Sequence, residues 1–359
     1  MPSAPQDRPL RIAVAGAGLI GREHIRVIMD TSAADCCLAG IVDPAPAAAQ
    51  LAQQCAVPHW HDLDELLAQQ SLDSVDAVVV ATPNATHHGH ALQCLQAGLP
   101  ILLEKPIATT VAQAEDIVRC MEQTNGTVLI GHHRAHSPLM RQAREIILQG
   151  QLGQLVAVQG SALFFKPDGY FVAAPWRTQT GGGPVALNLI HEIHNLRMLC
   201  GEIVAVQAFA SHATRGFAVE DTAAINLRFA NGALGSFILS DTAASARSWE
   251  QTARENPAYA SYDDEDCYHI AGTFGSLSIP SFRLKVWHHA KERSWWLPFA
   301  CNTQLVQRHD PLVLQMQHFV QVARGQAQAL VSAHDGLNNL RVTEAVMQAA
   351  RSGKLVEIP

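Results

Sequence analysis

Lysine is scarce in this chain: there are five, and none comes before Lys105. The basic residues total 25 against 32 acidic ones, for a formal net charge of -7. They are scattered, whereas nucleic-acid binding needs Lys and Arg concentrated against phosphates. No nucleic-acid partner is expected. Long apolar runs are missing too. No stretch approaches the roughly 20 apolar residues of a membrane helix, and residues 1–9 are polar and proline-rich, unlike a signal peptide. A cytoplasmic protein without a membrane partner is expected. The eight cysteines show no CxxC spacing, and adjacent Cys36 and Cys37 would make a poor bridge. Reduced, mostly packed thiols fit better than a disulfide framework.

What is present begins with a nearly apolar strand over residues 10–15, followed by Gly16, Gly18 and Gly21 in a GxGxxG pattern. Gly16 and Gly18 permit a tight turn and close approach of a pyrophosphate, and Gly21 lets the next helix pack on the sheet. That helix reads as residues 22–29. Amides at its start, at Leu19 and Ile20, are placed to hold phosphate charge. The motif is weak alone; its position between strand and helix gives it weight. A second strand over 38–42 ends at Asp43. A carboxylate there accepts from an adenosine ribose diol and repels a ribose phosphate, favouring NAD over NADP. A turn-capping role for Asp43 is the alternative.

The alternation continues. Helices are expected over 45–56, 62–69, 87–97 and 112–124, and strands over 75–80, 101–103 and 128–131. This is a β-α-β succession with a mostly parallel sheet. Ligands of such sheets bind beyond the strand carboxyl ends, where Thr82, Asn84, Lys105 and His132 fall. Lys105 stands between an apolar strand and Pro106. A lysine there can hydrogen-bond a substrate oxygen and stabilise a developing alkoxide. The bland alternative is a solvated lysine after a strand.

The chain is long enough for two domains, with a boundary expected near His133. Residues 1–133 form the dinucleotide-binding domain in this reading. Residues 134–359 form a substrate-binding and oligomerisation domain, its final helices able to pack back on the first. Strand signals at 155–165, 204–210, 223–229, 233–240, 268–270 and 282–287, with a hairpin at Asn231-Gly232, imply an α+β domain with a largely antiparallel sheet. Such a sheet leaves a face for helices or for a partner subunit. After Gly181, Gly182 and Gly183 comes a helix that sets Asn188, His191 and His194 at three-residue spacing on a shared face. His191 suits proton exchange with a substrate hydroxyl, and Asn188 suits orienting it. Satisfied packing groups are the alternative. The 18 histidines raise a metal reading, but no HExxH motif exists and the spacing at 191–194 is wrong for one. No metal is expected.

In order, these motifs resemble the Gfo/Idh/MocA oxidoreductases. The resemblance rests on Gly16 to Gly21 with His24, Ala81-Thr82-Pro83-Asn84 with His87, Glu104-Lys105-Pro106, Gly131-His132 with Arg134 and Pro138, the triple glycine with His191, and Asp335-Gly336-Leu337. It implies an α/β fold: an N-terminal Rossmann dinucleotide-binding domain plus a C-terminal α+β domain with a largely antiparallel open sheet. It implies a homodimer or homotetramer acting on a sugar, cyclitol or related alcohol. Lys105 would stand near substrate and nicotinamide, with His191 as acid/base or substrate ligand. Asn84, His87 and Glu104 would lie near the cofactor or in its supporting shell.

The chain departs from the family pattern. Leu187 stands where the usual helix has Asp four residues before the histidine, and His194 where it has another Asp. Ala135 and His136 replace an arginine and an aromatic. Phe164, Phe165, Lys166, Tyr170, Trp176 and Arg177 form an aromatic and basic cluster suited to shaping a substrate pocket. The sequence is also similar to dehydrogenases of carboxylated cyclohexadiene cis-diols, which would give Arg134 or Arg177 a substrate carboxylate to pair. The expectation is an NAD-dependent dehydrogenase with Lys105 and His191 as catalytic residues. The alternative is a noncatalytic NAD-binding regulatory or scaffolding protein.

Overall fold

The computed structural model describes residues 8–30, 35–68 and 74–359. Residues 1–7, and Gln69 at the end of the helix expected over 62–69, lie outside the described residues. The chain separates into two compact units, Met1–His136 with Pro311–Leu340, and Ser137–Asp310 with Arg341–Pro359. The expected second domain, 134–359, is therefore not one continuous block. Residues 311–340 belong with the first unit.

In the first unit, strands β1 (Leu10–Ala15), β2 (Cys36–Val42), β3 (His59–Trp60), β4 (Ala77–Val80), β5 (Ile101–Leu103) and β6 (Val128–Ile130) form a sheet in the order β3-β2-β1-β4-β5-β6. Every neighbouring pair is parallel. Helices α1 (Leu19–Met29), α2 (Pro46–Gln54), α3 (Leu63–Ala68), α4 (His87–Gln96) and α5 (Val111–Thr124) connect the strands. Sheets covered on both faces need apolar strands throughout, and β4 to β6 are buried along their whole length. Strand order reverses between β1 and β4, the switch point where such sheets bind ligands. The glycine turn follows one of those strands and Thr82 follows the other.

In the second unit, helix α6 (Pro138–Leu148) is capped by Ser137, whose hydroxyl accepts from the Leu139 and Met140 amides. Strand β7 (Leu155–Leu163) and the short helix α7 (Asp168–Val172) lead to α8 (Ile190–Cys200). Strands β8 (Ile203–Ser211), β9 (Thr222–Phe229) and β10 (Leu234–Ser240), helix α9 (Trp249–Thr252), and strands β11 (Tyr268–Gly272), β12 (Gly275–Ile279), β13 (Arg283–Val286) and β14 (Ala300–Thr303) follow. Beyond α10 (Pro311–Ala323) and α11 (Ala333–Ser352), β15 (Val356–Glu357) closes a nine-stranded sheet. Its order is β14-β13-β12-β11-β7-β10-β9-β8-β15, antiparallel except for β10 beside β7. The Asn231-Gly232 turn joins β9 to β10, with Gly232 at φ +88°. One sheet face packs on α6 and α8 through Val158, Phe237, Leu239 and Ile270 against Met140, Ile193 and Leu196.

No helix among the described residues is long and apolar enough to cross a membrane. All eight cysteines are free, five of them buried. Burial pushes the Cys94 and Cys200 thiols up to about 12.

Candidate active site

Two glycines of the turn are required by their surroundings. Gly16 has φ +93°, and a Cβ on it would lie 2.5 Å from the Ala81 carbonyl oxygen. A Cβ on Gly21 would lie 1.9 Å from the Gly16 oxygen. Gly18 differs: it precedes α1 with nothing within 4 Å of a would-be Cβ. That open side lies at a helix start, where the first amides lack intrahelical acceptors. The residues present therefore fit a dinucleotide pyrophosphate, with the Leu19 and Ile20 amides available to it. Leu19 itself is exposed.

Asp43 serves the turn directly. Its Oδ2 accepts from the Ala17 amide at 2.7 Å and its Oδ1 from the Ala45 amide at 2.8 Å. Each oxygen keeps a lone pair for a ribose hydroxyl, so the capping and ribose roles are compatible.

Around Lys105 the first unit is heavily cross-braced. His24 on α1 is fully buried, and its Nε2 donates to Glu104 Oε1 at 2.8 Å. Glu104 Oε2 accepts from the Lys105 amide at 3.2 Å. Burial would raise the Glu104 carboxyl, but His24 and Lys105 prevail and hold it below the usual range. Glu104 is thus a support beneath the lysine. Lys105 is half-buried, and its peptide bond to Pro106 is cis.

His87 is a brace as well. Nδ1 lies 2.7 Å from the Pro106 carbonyl and Nε2 2.9 Å from the Thr82 carbonyl. Both carbonyls only accept, and a neutral imidazole has one N–H to give. Burial outweighs the two carbonyls and lowers the His87 pKa. The ring fills the space between the ends of β4 and β5 and donates to one of the two carbonyls. Thr82 Oγ1 is 3.0 Å from His90 Nδ1 and takes a bond from Thr86, and Asn84 opens the adjoining 3₁₀ turn, half-buried. His132 Nε2 meets Asn339 at 3.0 Å. Burial, then Arg134, drive the neighbouring His133 down to about 3. Arg134 itself is buried.

In the second unit the segment after the glycines is not a uniform helix. Val185–Leu189 forms a π turn before α8 begins. Asn188 lies in that turn and His191 in α8, so the simple three-residue spacing does not relate them. π turns recur at functional sites. The Glu220 carboxylate accepts from the Val185 amide at 2.8 Å, and a Cβ on Gly183 would lie 2.4 Å from it. On α8, His191 and His194 are buried. Tyr268 donates its hydroxyl to Glu192 and accepts from Asn195 Nδ2 at 3.1 Å.

The aromatic and basic cluster is assembled around Tyr170. The Arg177 guanidinium lies 3.7 Å from the centre of its ring and donates Nη1–H to its carbonyl at 2.7 Å. Arg177 is thereby partly committed within the protein. Trp176 is exposed. Lys166, which the sequence offered only as a member of this cluster, is buried and donates to Asn188. Its rarity in a five-lysine chain was the available signal. Among the described residues, no group of three or more His, Cys, Asp or Glu could hold a metal ion.

The strand order and the glycine turn define a dinucleotide-binding oxidoreductase domain joined to an open-sheet domain. Residues 10–132 match the GFO/IDH/MocA oxidoreductase family, NAD-binding Rossmann fold, and residues 140–278 match the GFO/IDH/MocA C-terminal domain. The chain belongs to this family. The rhizopine catabolism protein MocA of Rhizobium meliloti is 27% identical over 341 residues, covering 94% of each chain. Inositol 2-dehydrogenase 2 of Paenarthrobacter aurescens is 27% identical over 359 residues, covering 96% of this chain and 97% of its own. The crystal structure of the WlbA dehydrogenase of Bordetella pertussis, in complex with NADH and UDP-GlcNAcA, has a TM-score of 0.77 at 24% identity. It covers 98% of this chain and 99% of its own, a likeness of fold.

Proposed function

We propose that the chain is an NAD-dependent dehydrogenase acting on a secondary alcohol of a sugar, cyclitol or cyclic cis-diol, carboxylated or not. The observation that carries this reading is the braced Lys105, directly after β5 in the same unit as the glycine turn. The inositol dehydrogenase named among its relatives supports the substrate class.

NAD, when bound, would supply the acceptor for the hydride of the substrate carbon. Lys105 donates a hydrogen bond to the substrate oxygen and stabilises negative charge growing there. His191 takes the hydroxyl proton as the carbonyl forms. The alcohol thus loses one hydride from carbon and one proton from oxygen. Asn188 and His194 orient the ligand, and Tyr170, Trp176, Arg177 and Arg134 shape its surroundings.

The test is NADH formation with NAD and NADP separately, against cyclitols, aldoses and carboxylated cis-diols. Lys105→Met is expected to lower kcat/KM by about 100-fold or more, as loss of a charge-stabilising donor does, while NAD affinity stays near the parent's. Unchanged kinetics would refute the role. Leu187 at the usual acidic position favours a second reading, an NAD-binding regulator without turnover. NAD binding with no activity across the panel in either direction would support it.

A further inference from the structure

Lys166 lies three residues beyond β7 with 6% of its surface exposed. Its Nζ donates to Asn188 Oδ1 at 2.7 Å. The nearest carboxylate oxygen, Asp241 Oδ2, is 3.8 Å away, and Asp241 Oδ1 is already held by Arg215 Nε at 2.9 Å. The ring centres of Phe164 and Tyr170 stand 5.5 and 5.0 Å from the ammonium. The amide of Asn188 is thus the direct hydrogen-bond acceptor for this buried cation.

An ammonium has three donors and no acceptor, so only the amide oxygen of Asn188 can face it. Amide orientation is ordinarily a choice between two similar groups; here the lysine makes that choice. The Nδ2 group is left on the other side, with no hydrogen-bond partner among the described residues. Asn188 is half-buried and sits in the π turn, two residues before α8, which carries His191.

We propose that Lys166 is a positioning residue that locks Asn188 as a hydrogen-bond donor toward the ligand. This rests on the reading of Asn188 as a substrate residue. The family pattern offers a carboxylate acceptor at the neighbouring position, where this chain has Leu187. A carboxylate reads a ligand hydroxyl through its proton. The locked amide reads a ligand oxygen through its lone pair: a carbonyl, an ether, a carboxylate, or a hydroxyl whose proton points elsewhere. The polarity of recognition at this end of α8 is therefore reversed.

The charged surroundings make the lock titratable. Burial pulls the Lys166 ammonium down to about 8, with Arg177 and Arg215 pulling further and Asp241 and Glu250 opposing. Above that pH the neutral amine can accept, and the amide is free to turn over.

The decisive experiment follows the Asn188 side-chain amide by ¹⁵N–¹H NMR in the full chain, assigned by its loss in Asn188→Asp. In the parent its resonances should move with a midpoint near 8. In Lys166→Met that titration should vanish, and in Lys166→Arg the signals should stay fixed in the low-pH position. An amide blind to both substitutions overturns the lock. Kinetics with NAD and myo-inositol read the ligand side. Asn188→Asp keeps an acceptor for Lys166 and loses the donor, so KM should rise about 10-fold with kcat within about 2-fold. An unchanged KM overturns the donor role. If the parent makes no NADH from myo-inositol, the dehydrogenase reading loses that substrate while the NMR titration still decides the lock. Adding NAD and myo-inositol to the labelled parent then tests the ligand side: a shifted Asn188 amide supports it, and an unmoved one overturns it.

Discussion

His24 and Glu104, eighty residues apart, form a buried hydrogen bond of 2.8 Å that ties the helix after the glycine turn to the strand end bearing Lys105. His24 donates through Nε2, and its Nδ1 has no hydrogen-bond partner among the described residues. Substituting Glu104 by Leu leaves that donor buried and unpaired, and frees the Lys105 amide. A loss of about 2–3 kcal/mol is expected, as for a charged hydrogen bond broken in the interior. Glu104→Gln keeps an acceptor of the same size and should cost less. Urea denaturation of the two variants checks this; equal stabilities would show that the pair does not brace the unit.

Acid should destabilise the fold well above the carboxylate range. His133 is held neutral down to about 3, from an ordinary value of 6.5. Between those values the unfolded chain binds a proton that the folded chain refuses, so stability falls as pH falls. From pH 6.5 to about 5 this one residue accounts for about 2 kcal/mol. His87, lowered by burial, acts in the same direction. Glu104, also lowered, adds to the loss once pH drops below its unfolded value of 4.5. His133→Asn should flatten the decline between pH 6.5 and about 5 in a series of denaturation curves. An unchanged slope would remove His133 as its source.

The first unit was largely legible because its signals are local. An apolar strand, a glycine needing positive φ and a strand-end lysine each announce themselves within a few residues. The braces were not legible by the same means. His87 lies against the carbonyls of Thr82 and Pro106, and nothing in a sequence says which carbonyl a buried imidazole meets. In the second unit, β12 and β14 are not legible because Ser276, Ser278 and Asn302 dilute the apolar alternation. The π turn at Val185–Leu189 is not legible because its composition is that of an ordinary helix. Lys166 and Asn188, 22 residues apart, meet only through that geometry.

Asp43 should govern cofactor choice. Its two oxygens already accept the Ala17 and Ala45 amides, so the carboxylate is fixed beside the glycine turn. Asp43→Ser removes the charge and keeps one short acceptor. NAD affinity should fall by about 10-fold or more, and the preference over NADP should narrow by a similar factor. Quenching of protein fluorescence by each cofactor measures both. An unchanged preference would leave Asp43 as a turn cap alone.

The second unit's sheet carries the expectation of a homodimer or homotetramer. Phe209 pairs with Ala224, and Ala224 with Ile238, so the three stand in one row across β8, β9 and β10. Phe237 and Leu239 alternate with Ile238 and are buried on the helix-covered face. The row must therefore face the other way. There Phe209 is 70% exposed and Leu234 59%. An apolar row on an uncovered antiparallel sheet suits a second copy of the same sheet across a two-fold axis. Light scattering after gel filtration should give a multiple of the chain mass for the parent. Phe209→Glu with Ile238→Glu should give the single-chain mass, with the circular dichroism spectrum unchanged. A parent that runs as a monomer, or a variant that stays assembled, would move the interface elsewhere.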